Sequence, residues 1–129
     1  MERSGLMSLS NKQVAAITAA IKRVFPDMAE GELSFEVAWS LNHVRLDRNG
    51  DINWRGMELG NLLLNALSEA QNWRCCYCGI RFSDTFYQQS TLEHVVPKSK
   101  NGDDHPDNLV IACYACNSAR SNQDIEGFT

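Results

Sequence analysis

Two short cysteine-bearing stretches decide the fold: residues 74–79 read Arg-Cys-Cys-Tyr-Cys-Gly, and residues 112–117 read Ala-Cys-Tyr-Ala-Cys-Asn. Each contains a Cys-x-x-Cys pair, and residues 79–112 separate the two pairs. Two residues between ligands allow a tight turn to direct both sulfurs at one tetrahedral ion. We therefore expect one structural zinc ion, with the ligands Cys75, Cys78, Cys113 and Cys116.

Other interpretations of the cysteines explain less of the pattern. A redox Cys-x-x-Cys motif, or apolar buried thiols, would leave the matched second pair without a reason. Gly79 directly follows the first pair and permits the backbone conformation that such turns need. Cys76 could ligate only with Cys-x-Cys spacing, so we expect it to be a free thiol.

The composition predicts a small globular protein. The chain has 129 residues, of which 43% are hydrophobic and 22% charged, which suits one domain or a small domain with an appended subdomain. No apolar run approaches the ~20 residues needed to span a bilayer. The first residues lack the pattern of a secretory signal, so a cytoplasmic location, where thiols stay reduced, is expected.

The charge balance gives no general affinity for nucleic acid. Twelve Lys and Arg against sixteen Asp and Glu leave a net charge of −4, and neither part of the chain carries a basic excess. Four thiolates around one divalent ion add a local charge of about −2. Nucleic acid must therefore be held by a few local cations, a bound divalent metal or a partner.

Residues 1–72 are expected to form a helical region of unknown function. The first helix follows a capping box at Ser10 and Gln13, with helical spacing of apolar residues up to Pro26. Further helices are expected over about 33–46 and 54–73. The third is expected to bury Met57, Leu63, Leu64, Leu67 and Ala70. These helices could add to the core, grip DNA or dock a protein partner.

Between the second and third helices, residues 47–58 resemble the start of a calcium loop. Oxygen-bearing side chains alternate from Asp47 to Asn53, and Glu58 falls at the twelfth position. Ile52, however, occupies the place where such a loop needs glycine. We favour a helix–helix turn that uses the chemistry of Asn49 and Gly50, while calcium binding stays open.

Residues 73–129 show a different pattern. Residues 91–96 are rich in β-branched side chains and stop at Pro97, which predicts a strand. A loop over 98–107, a second strand over 109–112 and a helix from Cys116 to about residue 123 follow. The expected fold class is α+β, with an N-terminal helical region followed by a zinc-bound strand–strand–helix core.

The segment between the cysteine pairs carries a recognisable motif: Thr91-Leu-Glu93-His94-Val-Val-Pro97, then Asp107-Asn108-Leu-Val, then Cys116-Asn117. It resembles the HNH endonuclease family, in its zinc-stabilised branch with Cys-x-x-Cys pairs flanking a ββα-metal core. The resemblance covers about residues 74–122. It implies a metal-dependent nuclease that hydrolyses phosphodiester bonds of DNA, with double-stranded DNA as the expected substrate and nicking as the expected outcome. It also implies a bacterial or phage origin.

The resemblance assigns roles to four residues. His94 would be the general base that takes a proton from the attacking water. Glu93 and Asn117 would present oxygens to one catalytic Mg²⁺ or Mn²⁺, and Asn108 would fix the loop that carries His94. The chain has Asn117 where the third letter of the family name denotes histidine, and Glu93 where aspartate is often found.

Two points stay open. Lys98, Lys100 and Arg120 are candidates for phosphate contacts, but each could equally be a solvated surface charge. The competing function is a non-catalytic zinc module of treble-clef type that binds nucleic acid or protein. A zinc deaminase is set aside, because the order here is Glu93-His94 and Ala112 rather than proline precedes Cys113.

Overall fold

The computed structural model describes residues 9–120 and contains four α-helices and a two-stranded antiparallel sheet. The elements are α1 Asn11–Val24, α2 Glu30–Leu41, α3 Glu58–Ala70, β1 Ser90–His94, β2 Leu109–Cys113 and α4 Tyr114–Arg120. The expected α+β class is therefore confirmed. Within this range, none of the helices has the length and hydrophobicity needed to cross a bilayer.

Helix α1 begins and ends where the sequence predicts. The Ser10 side chain accepts from the backbone N–H of Gln13, and the Gln13 side chain accepts from the backbone N–H of Ser10, which completes the capping box. The helix stops at Val24, two residues before Pro26, because a proline disfavours helical geometry in the preceding residue. Its buried face consists of Ala16, Ile17, Ala20 and Ile21.

Helix α2 is shorter and starts earlier than expected. It ends at Leu41, whereas the apolar spacing predicted continuation to residue 46. The later apolar residue Leu46 forms an isolated antiparallel bridge with Ile52 instead, so this part of the pattern belongs to a turn. The prediction was wrong because extended apolar residues coincided with helical spacing.

The turn between these bridged residues is ordered by Asp47. Its Oδ1 accepts from the backbone N–H of Asn49 at 2.8 Å and of Asp51 at 3.0 Å. Its carbonyl accepts from the N–H of Gly50, whose positive φ of 84° suits glycine. The Asp47 carboxylate thus accepts hydrogen bonds from backbone N–H groups of the same turn, which favours the turn over the calcium loop.

Helix α3 is preceded by a separate turn of 3₁₀ helix at Trp54–Gly56, capped by the side chain of Asn53. A Cβ at position 60 would lie 1.7 Å from the Trp54 carbonyl oxygen, so only glycine allows this close approach. The helix ends before Asn72 and Trp73, which both have left-handed φ. The helix predicted over 54–73 therefore holds only in its central part.

The burial expected around the third helix is partly found. Met57, Leu63 and Leu67 are buried. Leu64 is half-buried and Ala70 is exposed.

The described residues divide into two compact units. One runs up to Leu63 and takes in Asp104–Pro106, and the other comprises Leu64–Asp103 and continues from Asp107. The functional division expected between 1–72 and 73–129 stays a prediction.

The second unit contains the strand–strand–helix segment. In β1 and β2, Ser90 pairs with Cys113 at one end and His94 with Leu109 at the other. Helix α4 follows β2 without a loop. The two strands agree with the predicted ones to within one or two residues at each end, while α4 begins two residues earlier than expected. Its expected end at about residue 123 lies outside the described residues.

Candidate active site

The four predicted zinc ligands converge. The sulfur atoms of Cys75, Cys78, Cys113 and Cys116 all lie within 4.8 Å of one another. The Cys78 and Cys113 sulfurs are 3.9 Å apart. A tetrahedral ion with zinc–sulfur bonds of about 2.3 Å places its sulfurs about 3.8 Å apart. The cluster could therefore hold a metal ion such as zinc, and Cys76 is not a member of it.

The first pair is brought together by a tight turn. The carbonyl of Cys75 accepts from the N–H of Gly79 at 3.0 Å, and Gly79 has a φ of 77°. The Tyr77 N–H points to the Cys75 sulfur at 3.4 Å. The second pair needs no loop, because Cys113 ends β2 and Cys116 lies in the first turn of α4.

The thiols differ in acidity. Burial raises the pKa of Cys75, but hydrogen bonds from the backbone N–H groups of Cys78, Cys113 and Tyr77 outweigh it and lower the pKa to about 7. Burial raises the pKa of Cys113 and of Cys116, and for Cys116 the neighbouring thiols add to the rise. In the absence of metal, Cys75 therefore ionises before Cys113 and Cys116, and a bound ion must displace the protons of those two thiols.

At the opposite end of the strand pair, Glu93 is buried and forms an ion pair and a hydrogen bond. Its Oε2 lies 2.9 Å from Nη1 of Arg120, and its Oε1 accepts from the backbone N–H of His94 at 3.1 Å. Only 8% of Glu93 is exposed. His94 is the next and last residue of β1, and it is half-buried.

Arg120 lies in a different place from the one expected. It is fully buried, and its guanidinium donates to the carbonyl oxygens of His94, at 2.8 Å, and of Val95. It also lies over the ring of Tyr77, 5.6 Å from the centroid. This placement argues against the phosphate contact expected for Arg120, because no part of the residue reaches the surface.

Asn108 fixes the chain that follows β1. Its Oδ1 accepts from the N–H of Val96 at 2.9 Å, while Nδ2 donates to the carbonyls of Val96, at 3.1 Å, and of Asp103, at 2.9 Å. Its own carbonyl accepts from the N–H of Val95. A Cβ at Gly102 would lie 1.6 Å from the Val96 carbonyl oxygen, so the loop closes only with glycine there.

Asn117 lies on the face of α4 turned towards β1. Its Nδ2 donates to Oγ1 of Thr91 at 2.9 Å, and that hydroxyl donates to the carbonyl of Ala112. Among the described residues, none donates to the Asn117 Oδ1. Carboxylate oxygens carry more than one lone pair, so Glu93 also keeps acceptor capacity beside the guanidinium. Oxygen atoms of this kind are the ligands that a hard divalent cation takes, and ligation of one ion by both residues stays a prediction.

The two lysines lie between the strand end and Asn108. Lys98–Lys100 forms a turn of 3₁₀ helix, which ends at Asn101 in the left-handed region. Lys100 is exposed and Lys98 half-buried. Their contact with phosphate stays a prediction.

A support of β2 escaped the sequence reasoning. The side chain of Gln71 accepts from the N–H of Ile111 at 2.9 Å and donates to the carbonyl of the same residue at 2.8 Å. Gln71 therefore pairs with the strand as a neighbouring strand would. A polar residue at the end of an apolar helix was the only signal in the sequence.

Comparison with known proteins identifies the same segment. Residues 75–123 match the family model described as HNH endonuclease. The CRISPR-associated endonuclease Cas9 of Corynebacterium diphtheriae (strain ATCC 700971 / NCTC 13129 / Biotype gravis) is 34% identical over 55 residues. The aligned segment makes up 42% of this chain and 5% of that relative, so the chain spans a small part of it. No solved structure gives a significant match. The resemblance inferred from the sequence is confirmed for this segment.

Proposed function

We propose that the protein is a metal-dependent HNH endonuclease that hydrolyses phosphodiester bonds of double-stranded DNA, one strand at a time. The family match to residues 75–123 supports a nuclease function in general. The observation that carries the specific proposal is the bonding of Asn108 to the backbone directly after His94. The family resemblance assigns this anchoring role to Asn108.

The chain's own residues divide the chemistry among them. His94 takes a proton from a water molecule, the water oxygen attacks phosphorus, and the bond from phosphorus to the leaving oxygen breaks. Asn108 holds the backbone that orients the imidazole. A Mg²⁺ or Mn²⁺ ion held by Glu93 and Asn117 would offset the negative charge on the phosphate and the leaving oxygen.

Zinc has a structural role in this proposal. Its four thiolate ligands leave no open position for water or substrate, which is the mark of a structural site. Asn117 directly follows the ligand Cys116, so the zinc would position a catalytic side chain. Lys98 and Lys100 are the proposed phosphate contacts, and a molecule with one such site would nick rather than cut both strands.

The alternative is a zinc module that binds nucleic acid or protein without cleaving. Supercoiled plasmid DNA and a structured RNA are incubated with the zinc-loaded protein in Mg²⁺ or Mn²⁺, with EDTA as the metal-free control. Asn117→Ala, purified identically, controls for contaminating nucleases. Nicked circles from the wild type alone support the proposal. Binding of DNA without cleavage in either metal would favour the alternative, and equal cleavage by Asn117→Ala would show a contaminant or a different site.

The N-terminal helices are proposed to bind a protein partner. A groove of about 300 Å³ in the first unit is lined by Phe25, Phe35, Trp39 and Leu62, with Phe35 71% exposed and Trp39 51% exposed. Glu36 and Glu58 also line it, and α2 carries acidic residues but no Lys or Arg. This charge repels nucleic acid and suits a protein helix with an apolar face and basic flanks.

Trp39 offers a direct readout of that proposal. We expect its fluorescence to shift to shorter wavelength on titration with a helical Leu/Lys peptide, and not with a scrambled peptide of equal composition. Trp39→Phe identifies the signal, and Glu36→Lys should weaken binding. Equal responses to both peptides would refute a specific docking groove.

A further inference from the structure

The positive charge of Arg120 is buried at the end of α4, although the proposed reaction gives this residue no phosphate or metal ion to bind. Arg120 has no solvent exposure, and burial of a cation is costly unless charged and polar partners surround it. The Glu93 carboxylate, at 2.9 Å, is one partner. The backbone carbonyls of His94 and Val95 are two more. All three belong to consecutive residues around the proposed general base.

These contacts meet where the strand pairing stops. His94 is the last residue of β1 in register with β2, so its carbonyl and that of Val95 lie where the ladder ends. A guanidinium is a planar fork that can donate to two acceptors at once in fixed geometry. Because Arg120 bonds both carbonyls, it fixes the direction in which the chain leaves the sheet.

Arg120 holds the end of β1 through a side chain and through the backbone. It pairs with the side chain of Glu93, which lies on the face of β1 turned to α4. The guanidinium bonds the backbone carbonyl of His94, the last residue of the strand. The backbone around the proposed base is therefore held by Arg120 at His94 and by Asn108 at Val96.

We propose that Arg120 is a positioning residue, which sets the orientation of His94 through the His94 and Val95 carbonyls and through Glu93. The inference rests on the proposed function in taking His94 as the base, but it concerns a residue that the sequence suggested either for a phosphate contact or for a solvated surface charge. The Arg120 guanidinium also lies over the ring of Tyr77. In the sequence, Tyr77 stands between the proposed zinc ligands Cys75 and Cys78. Arg120 thereby connects the metal-bound turn with the reactive end of β1.

A purely structural ion pair would behave differently on conservative replacement. Lysine at position 120 keeps the charge for Glu93, but its single ammonium group lacks the planar fork that bonds both carbonyls. We therefore compare Arg120→Lys and Arg120→Met with the wild type, and use Arg81→Lys as a matched control, since Arg81 is an exposed arginine of the same unit.

Two readouts separate positioning from stability. The first is amide hydrogen exchange at Val95 and Val96, whose N–H groups bond to Asn108. The second is single-turnover nicking of supercoiled plasmid DNA. The rate at saturating protein and the protein concentration that gives half of that rate are measured separately. Zinc content and the melting temperature show whether each variant is folded.

In Arg120→Lys we expect one bound zinc, at least tenfold faster exchange at Val95 and Val96 only, and a saturated rate reduced by about 10–100-fold at unchanged half-saturation. Arg120→Met should show the same pattern more strongly. Unchanged exchange with a rate within twofold of wild type in Arg120→Lys would overturn the proposal. Loss of zinc and of global structure in both variants would also overturn it, by making Arg120 a stability residue.

The exchange measurement does not require an active enzyme. If wild-type protein cleaves nothing, the proposed function fails, while exchange at Val95 and Val96 still decides whether Arg120 fixes this backbone. If wild-type protein cleaves and exchange is unaffected, the positioning proposal fails alone.

Discussion

At one end of the β1–β2 ladder, where Ser90 pairs with Cys113, four sulfurs converge. At the other end, where His94 pairs with Leu109, a buried guanidinium, a carboxylate and an amide hold the backbone. Each half of the first end is built by two cysteines three positions apart in sequence, one pair in a tight turn and the other at the junction of β2 and α4. The contacts of the second join residues 93–96 to Asn108 and Arg120, which lie 12 to 27 positions further along the chain. Ligand spacing within each pair therefore predicts the cysteine cluster, whereas the arrangement at the other end depends on how the segment folds.

The largest effect is expected at the cysteine end. Cys113→Ser should remove zinc and unfold the second unit, because structural zinc contributes on the order of 10 kcal/mol in small metal-dependent domains. Zinc content by atomic emission and far-UV circular dichroism check this expectation. Cys76→Ser is the matched control, and should keep one zinc per chain because its sulfur lies outside the cluster. Zinc retained by Cys113→Ser and lost from Cys76→Ser would reverse the ligand assignment.

A smaller effect is expected at the reactive end. Asn108→Ala removes three side-chain hydrogen bonds to Val96 and Asp103, so the free energy of unfolding should fall by about 1–3 kcal/mol with zinc retained. Urea denaturation at fixed zinc concentration measures this change. Asn65→Ala, at an exposed position of α3, should stay within about 0.5 kcal/mol. Equal stability of the two variants would mean that the loop after His94 does not depend on Asn108.

The smallest effect is expected in the first unit, at the turn that the Asp47 side chain orders. Asp47→Ala removes two exposed side-chain-to-backbone bonds, and the unfolding free energy should fall by roughly 0.5–1 kcal/mol. Asn49→Ala is the control, since Asn49 contributes its backbone N–H to this turn. Addition of millimolar calcium should leave the melting temperature of the wild type unchanged. A calcium-dependent rise that Asp47→Ala abolishes would restore the calcium-loop interpretation.

The sequence predicted the parts of the molecule whose cause is local. The cysteine cluster follows from two-residue spacing in turns, and the limits of α1 follow from Ser10, Gln13 and Pro26. Helix α2 was placed too far along the chain because Leu46 continues a helical pattern although it pairs with Ile52.

At the candidate site, the motif pointed to Glu93, His94, Asn108 and Asn117. The structure adds the hydrogen bonds and the ion pair that hold their side chains or backbone. The surroundings of Arg120 could not be predicted. Exposed and buried arginines look alike in a sequence, and its partners His94 and Val95 lie 26 and 25 residues away. Only the folded segment shows that this guanidinium bonds the backbone of the proposed base.

We infer that the cysteine cluster, with zinc bound, maintains the fold while the far end of β1 carries the chemistry. The most direct test is the single-turnover DNA cleavage rate of zinc-loaded His94→Ala, with His43→Ala, at an exposed histidine of the other unit, as control. We predict that His94→Ala keeps one zinc, its melting temperature and its affinity for DNA, while cleavage slows by about 10²–10⁴-fold. Cleavage at the wild-type rate by His94→Ala that is folded and zinc-loaded would contradict the account.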